Sequence, residues 1–228
     1  MDAAHPLDHA TWSALNGRHA GFALQQGSAR RYDPAYGVFA AVADHSDASL
    51  ADLGALIAAH GDVALLETNP PVNVPGTIIT SQDLGVRMTA TGLTASPSPA
   101  VAFRLLGEPD APAMLALATL TEPGPFFAQT HRLGAFFGIE VAGQLVAMAG
   151  ERMKPDGHTE VSGVCTHPDH RGRGYAGALM RHVAQRILDR GERPFLHAYA
   201  SNRGAIALYE SLGFTVLREV LMTRLTQA

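Results

Sequence analysis

The sequence predicts an α/β fold, and three patterns carry that prediction. FFGIEVAGQLVAMAGERM, from Phe136, reads as two strands turned at Ala142-Gly143. From Tyr175 to Leu188 the apolar residues fall at 175, 176, 179, 180, 183, 184, 187 and 188, one face of a 3.6-residue period and the strongest helix of the chain. PFLHAYA, Pro194 to Ala200, then reads as a strand that leads into the helical pattern NRGAIALYESLG.

The first hundred residues give mixed signals. SLADLGALIAAHG from Ser49 reads as a short helix ending at Gly61, and DVALLE from Asp62 as a strand. Breaker residues cluster at Thr68 to Gly76 and at Thr94 to Pro99. We place a domain boundary near residue 99, which leaves an N-terminal α/β half over 1–99 and a second domain over 100–228. Two halves of similar size leave a degenerate duplication open, although no repeat is evident. In the second half, Ala100 to Gly107 reads as a strand and Glu108 to Thr121 as a helix, with Pro109 and Pro112 near its start and Pro123 just after it. Thr159 to Thr166 reads as a third strand after the hairpin. Asn202 caps the helix that Gly213 closes, and FTVLREVLMTRL forms a final strand.

Composition narrows the function classes. With 46% hydrophobic residues and a mean hydropathy of +0.04, the 228-residue chain is globular, and a chain of this size buries about 70% or more of its unfolded surface. Lys+Arg 17 against Asp+Glu 21 gives a net charge of −4, so a nucleic-acid backbone is repelled and no nucleic-acid partner is expected. Cys165 is the single cysteine, which excludes an intrachain disulfide and fits a reducing, cytoplasmic setting. The N-terminus MDAAHPLDHATW has no Lys, no Arg and no apolar stretch, so it does not read as a secretory signal. Runs such as GVFAAVA fall far below the ~18 residues of a membrane span, and no membrane partner is expected.

The segment RGRGYAG, Arg171 to Gly177, lies between a predicted strand and the strong helix. A glycine-rich turn there presents free N–H groups at the positive end of a helix dipole, where a phosphate is the natural ligand; a plain tight turn is the alternative. Gly172, Gly174 and Gly177 also satisfy the dinucleotide pattern, but HPDH separates them from the strand and PFLHAYA carries no acidic residue for a ribose. Gly-Lys-Ser/Thr is absent, which rejects a Walker loop. His167 and His170 lack a further ligand set, so no metal is expected. Cys165, mid-strand without a base beside it in sequence, reads as a small buried hydrophobe rather than a nucleophile.

Arg171, Gly174 and Ala176 form Arg-x-x-Gly-x-Ala, and the strand, loop and helix VSGVCTHPDHRGRGYAGALM resemble the central motif of the GNAT acetyltransferases. HAYASNRGAIALYESLGF resembles the strand and helix that follow it there, with Asn202, Ala205, Tyr209, Gly213 and Phe214 in the family's positions. The tight match covers Glu160 to Phe214 and a looser one residues 100–225. Arg18, Gly21 and Ala23 repeat the hexapeptide by chance, with no strong helix after them.

The resemblance implies a mixed, mainly antiparallel sheet flanked by helices and an acetyl transfer from acetyl-CoA to a primary amine. The pantetheine arm would lie between two splayed strands, on the backbone of Val164, Cys165 and Thr166. The pyrophosphate would rest on Gly172, Arg173, Gly174, Tyr175, Ala176 and Gly177, with Arg171 and Arg173 adding charge and Asn202 nearby. Tyr209, two helical turns after Asn202, is the expected general acid for the CoA thiolate, and N–H groups near Val164 and Cys165 would polarise the thioester carbonyl. Glu160, on one strand face with Ser162 and Val164, is the expected base, with Glu140, Glu151 and His197 in reserve. Residues 1–99 would be a divergent second copy or a substrate-shaping half, and a homodimer is compatible with the reading. A catalytically silent acyl-CoA-binding module is the alternative, and the acceptor is not legible.

Overall fold

The computed structural model describes residues 5–71, 73–95 and 101–228. The boundary expected near residue 99, most of the Thr94 to Pro99 segment, and the start of the strand expected at Ala100 lie outside the described residues.

The strongest sequence patterns become the elements around which the rest is built. The hairpin is β7 (Phe136–Val141) and β8 (Gln144–Glu151), joined by Ala142 and Gly143 with φ 52° and 79°; two left-handed residues make the turn whose twist matches paired strands. After β9 (His158–Thr166), helix α4 (Tyr175–Asp189) buries Leu179, Met180, Val183, Ala184 and Ile187 on its apolar face. β10 (Arg193–Tyr199) leads into α5 (Arg203–Ser211), where the Asn202 side chain accepts from the Ala205 N–H at 3.1 Å, and β11 (Thr215–Gln227) ends the chain. Ahead of the hairpin lie β6 (Arg104–Leu106) and α3 (Ala111–Thr121), the latter preceded by one 3-10 turn over Glu108–Asp110.

The N-terminal segment folds as α1 (Ala10–Asn16), β1 (Ala23–Gln26), β2 (Ala29–Tyr32), β3 (Ala40–Val42), α2 (Asp47–His60), β4 (Val63–Glu67) and β5 (Thr77–Thr89). α2 and β4 lie where the sequence predicts them, and β5 has no sequence signal. Thr77 to Leu84 are mostly exposed whereas Gly85 to Met88 are all buried, so the strand lacks the two-residue alternation by which strands are read.

β1–β2–β3 form a small sheet, and the other eight strands form one sheet in the order β4-β11-β5-β10-β9-β8-β7-β6. Its pairings are antiparallel except β9 with β10, giving the mixed, mainly antiparallel sheet flanked by helices that the resemblance implies. β5 is clamped between β10 and β11, and β11 pairs in turn with β4. The last strand of each half of the chain thus completes pairing with the other half, and one sheet runs through both. Alternation along β10 separates two cores: Leu196 joins the cluster under α4 with Val183, Ile187 and Phe214, while Phe195 faces Leu7, Leu15, Tyr32 and Phe39 from the N-terminal segment. No helix among the described residues is long and apolar enough to cross a membrane.

Candidate active site

The parallel contact of β9 with β10 lasts only three residues, His158 to Glu160 against Arg193 to Phe195. Beyond it β10 follows β5 as far as Tyr199, while β9 stays with β8 as far as Thr166, so the two strands diverge and a wedge opens between them. A bulge in β9 accompanies the divergence: Gly163 and Val164 stand opposite the single residue Ala149. Gly163 has φ +62°, and a Cβ there would lie 2.9 Å from the Phe136 ring, so both conformation and space require glycine.

At the open end of the wedge the chain makes one 3-10 turn over Pro168–His170 and enters α4. Gly172 and Gly174 both have φ +75°, and Gly174 caps α4 without any side-chain bond. None of the N–H groups of residues 172–177 donates to an acceptor among the described residues. Six unsatisfied donors at the N-terminus of a 15-residue helix suit an anion, and the exposed Arg171 has no acidic partner among the described residues. Arg18, by contrast, leads into a 3-10 turn rather than a helix and binds the carbonyls of Lys154, Pro155 and His158.

Val164, Cys165, Thr166, all of Arg171 to Gly177 and Asn202 line one cleft of about 470 Å³. It joins a second cleft of about 300 Å³ in the wedge, and Glu122, Pro123, Val164, Ala176, Asn202 and Leu208 line both. Tyr209 lines the wedge together with Ser162 and Gly163; its hydroxyl makes no hydrogen bond among the described residues, and burial raises its pKa, which keeps the phenol protonated. Burial pushes the Cys165 thiol up to about 11, leaving little thiolate for nucleophilic attack.

Glu160 lies in the wall of this wedge with 0% of its side chain exposed. Arg152 grips it with both ends of its fork, Nε to Oε2 at 2.8 Å and Nη2 to Oε1 at 2.7 Å, and His197 Nδ1 adds a third bond at 2.8 Å. Burial alone would raise its pKa, but the Arg152 guanidinium and the His197 N–H outweigh burial and hold the carboxyl far below the usual range. A carboxylate so shielded and so weakly basic is unsuited to taking a proton from an acceptor. The reserves are committed too. Glu140 pairs with Arg104 at 2.6 Å, and Glu151, 2% exposed, pairs with Lys154 and Arg190 at 2.8 Å each. His197 uses both ring nitrogens, receiving Arg87 Nε–H at Nε2 over 2.9 Å. Of the two carboxylates lining the wedge, only Glu122 is exposed, and it is itself the left-handed residue, with φ 48°, that ends α3. Sequence reasoning missed Glu122 and Arg152, since no motif or periodicity singles out either.

Glu160→Gln is expected to lower the unfolding free energy by about 3–5 kcal/mol at neutral pH, because Arg152 is left buried without its counter-charge. The depressed carboxyl contributes stability that is complete above its ordinary value of 4.5 and is lost as pH falls towards the lower folded value. The gap between parent and variant in urea unfolding should therefore narrow between pH 6 and pH 3; a constant gap would mean that the ion pair is not its source.

A protein of the GNAT family from Novosphingobium aromaticivorans, known from a crystal structure, is 43% identical, with a TM-score of 0.90 over 99% of this chain and 100% of that one. The present chain belongs to the GNAT family. A family model described as FR47-like protein matches residues 136–222. A curated acetyltransferase of Sodalis glossinidius is 35% identical over 98 residues, 40% of this chain, and the match spans 65% of that protein's length. A GCN5-related N-acetyltransferase of Kribbella flavida shares the fold, with a TM-score of 0.65 at 21% identity over 96% of this chain and 95% of that one. The GNAT likeness thus extends over the N-terminal segment, where the sequence carries no motif.

Proposed function

We propose that the protein transfers an acetyl group from acetyl-CoA directly to a primary amine. The observation that carries this reading is the continuity of an unsatisfied N–H cradle at α4, suited to a pyrophosphate, with a wedge whose β9 edge is free for an extended arm. In this reading the thioester carbonyl sits at the bulge, where backbone N–H groups near Val164 and Cys165 stabilise its developing negative charge. The neutral amine attacks the carbonyl carbon, the carbon–sulfur bond breaks, and the sulfur leaves with the electron pair. Tyr209 gives its proton to that sulfur as the carbon–sulfur bond breaks; a phenol holds its proton more tightly than a thiol does, so the step is uphill and is drawn forward when solvent re-protonates the phenolate. The amine's proton passes to water in the open cleft, with Glu122 on the rim to receive it, while Glu160 serves to hold Arg152. The free Tyr209 hydroxyl favours an enzyme over a silent binding module.

Residues 1–99 act in this scheme as the substrate-shaping half, since Phe39, Leu66 and Gly85 supply walls of the wedge. Incubation with acetyl-CoA and a panel of primary amines should release free CoA thiol in proportion to the amine added. Retained CoA binding with no amine-dependent thiol would favour the silent module instead.

A further inference from the structure

Arg152 stands at the closed end of the wedge, where the strands β9 and β10 come together. Its backbone N–H bonds the Glu160 carbonyl at 3.0 Å, and its guanidinium stacks 4.7 Å from the centre of the Phe39 ring. Nε and Nη2 are committed to Glu160, while Nη1 has no partner among the described residues, and a tenth of the side chain is exposed. A second cation lies behind it. Arg87 is 1% exposed and donates to His197 and to the carbonyls of Leu7 and Leu66, with no carboxylate among its partners. His197 is neutral in this arrangement, because its Nε2 accepts from Arg87. The buried array Arg152, Glu160, His197 and Arg87 therefore carries two positive charges against one negative. Leu66, Phe39 and Met222 line the wedge beside it, so little solvent screens that excess.

We propose that the acceptor is an amine bearing a carboxylate, which Nη1 of Arg152 holds at the closed end of the wedge. This rests on the acetyl-transfer reading given above. Glu160 is the positioning residue, fixing the guanidinium plane so that Nη1 faces the cleft. Four residues, at most about 13 Å at the rise of a regular strand and less with the bulge at Gly163, separate Glu160 from Val164 at the thioester end. That distance is shared between the Arg152 side chain and the acceptor, so amine and carboxylate are several bonds apart, as in an ω-amino acid, rather than on one carbon.

The test compares 6-aminohexanoate with its methyl ester and with glycine, using acetyl-CoA and release of thiol. A charge-assisted bond to Arg152 predicts that kcat/KM for 6-aminohexanoate exceeds that for the ester by about tenfold or more, mostly through KM, with glycine poorer than both. In Arg152→Lys, where Glu160 keeps a counter-charge, and in the double variant Arg152→Met with Glu160→Met, which buries neither charge, the ratio should fall towards one. CoA-induced thermal stabilisation reports that each variant is folded. Equal kcat/KM for acid and ester in the parent would overturn the proposal and leave acetyl transfer standing. A preference that survives in both folded variants would remove Arg152 from the role. If no amine releases thiol while CoA still binds, the acetyl-transfer reading fails and takes this proposal with it.

Discussion

Replacing Gly174 with glutamate should abolish the thermal stabilisation that CoA gives the parent protein. The residue caps α4 in the left-handed region, and its N–H belongs to the unsatisfied donors of the loop. A carboxylate there opposes the pyrophosphate and covers those donors, so the helix dipole that attracts the ligand acts on the side chain instead. At a CoA concentration of a hundred times Kd the parent should gain about 2.7 kcal/mol. For a chain of this size that is a rise of about 5–10 °C in Tm. The variant should show none. Its own Tm should fall by only a few degrees, because a non-glycine residue in the left-handed region costs about 1–2 kcal/mol. Thermal scans with and without CoA measure both effects, and an undiminished rise in the variant would move the phosphate site away from this loop.

Tyr209→Phe should separate chemistry from binding. The hydroxyl makes no hydrogen bond among the described residues, so its removal leaves neither a buried donor nor a broken network, and α5 should remain packed. CoA affinity should therefore change little. Turnover should fall by about 10²-fold if the phenol protonates the departing sulfur, with kcat and kcat/KM falling together. Single-turnover measurements give the chemical step directly, and an unchanged rate there would reduce Tyr209 to a packing residue.

Much of the fold was legible where neighbours in sequence decide it. The 3.6-residue spacing from Tyr175 to Leu188 buries one face of α4 as read, and Ala142-Gly143 makes the hairpin turn. The glycines of the loop and Asn202 at the start of α5 occupy the backbone positions that their chemistry suits. β5 was not legible. Half of it is an exposed ribbon with β11 and half is clamped between β10 and β11, so neither part alternates in the way a strand buried on one face does. Its partners lie more than a hundred residues away along the chain, and no local preference encodes them.

Glu160 shows the same division at the level of one side chain. The alternation along β9 places it on one face of the strand, and that much is local. Whether a carboxylate takes up protons depends on its solvation and on the charges around it, and these come from Arg152 eight residues away and His197 thirty-seven residues away. The sequence by itself determined the α/β class, the helix α4, the glycine loop and the place of Tyr209 on α5, because spacing within a dozen residues is enough to specify them. Tertiary structure alone decided the opening of the wedge, the walls lent by Phe39 and Leu66, and the buried charge array, because strand pairing and electrostatic fields join residues that the chain keeps far apart.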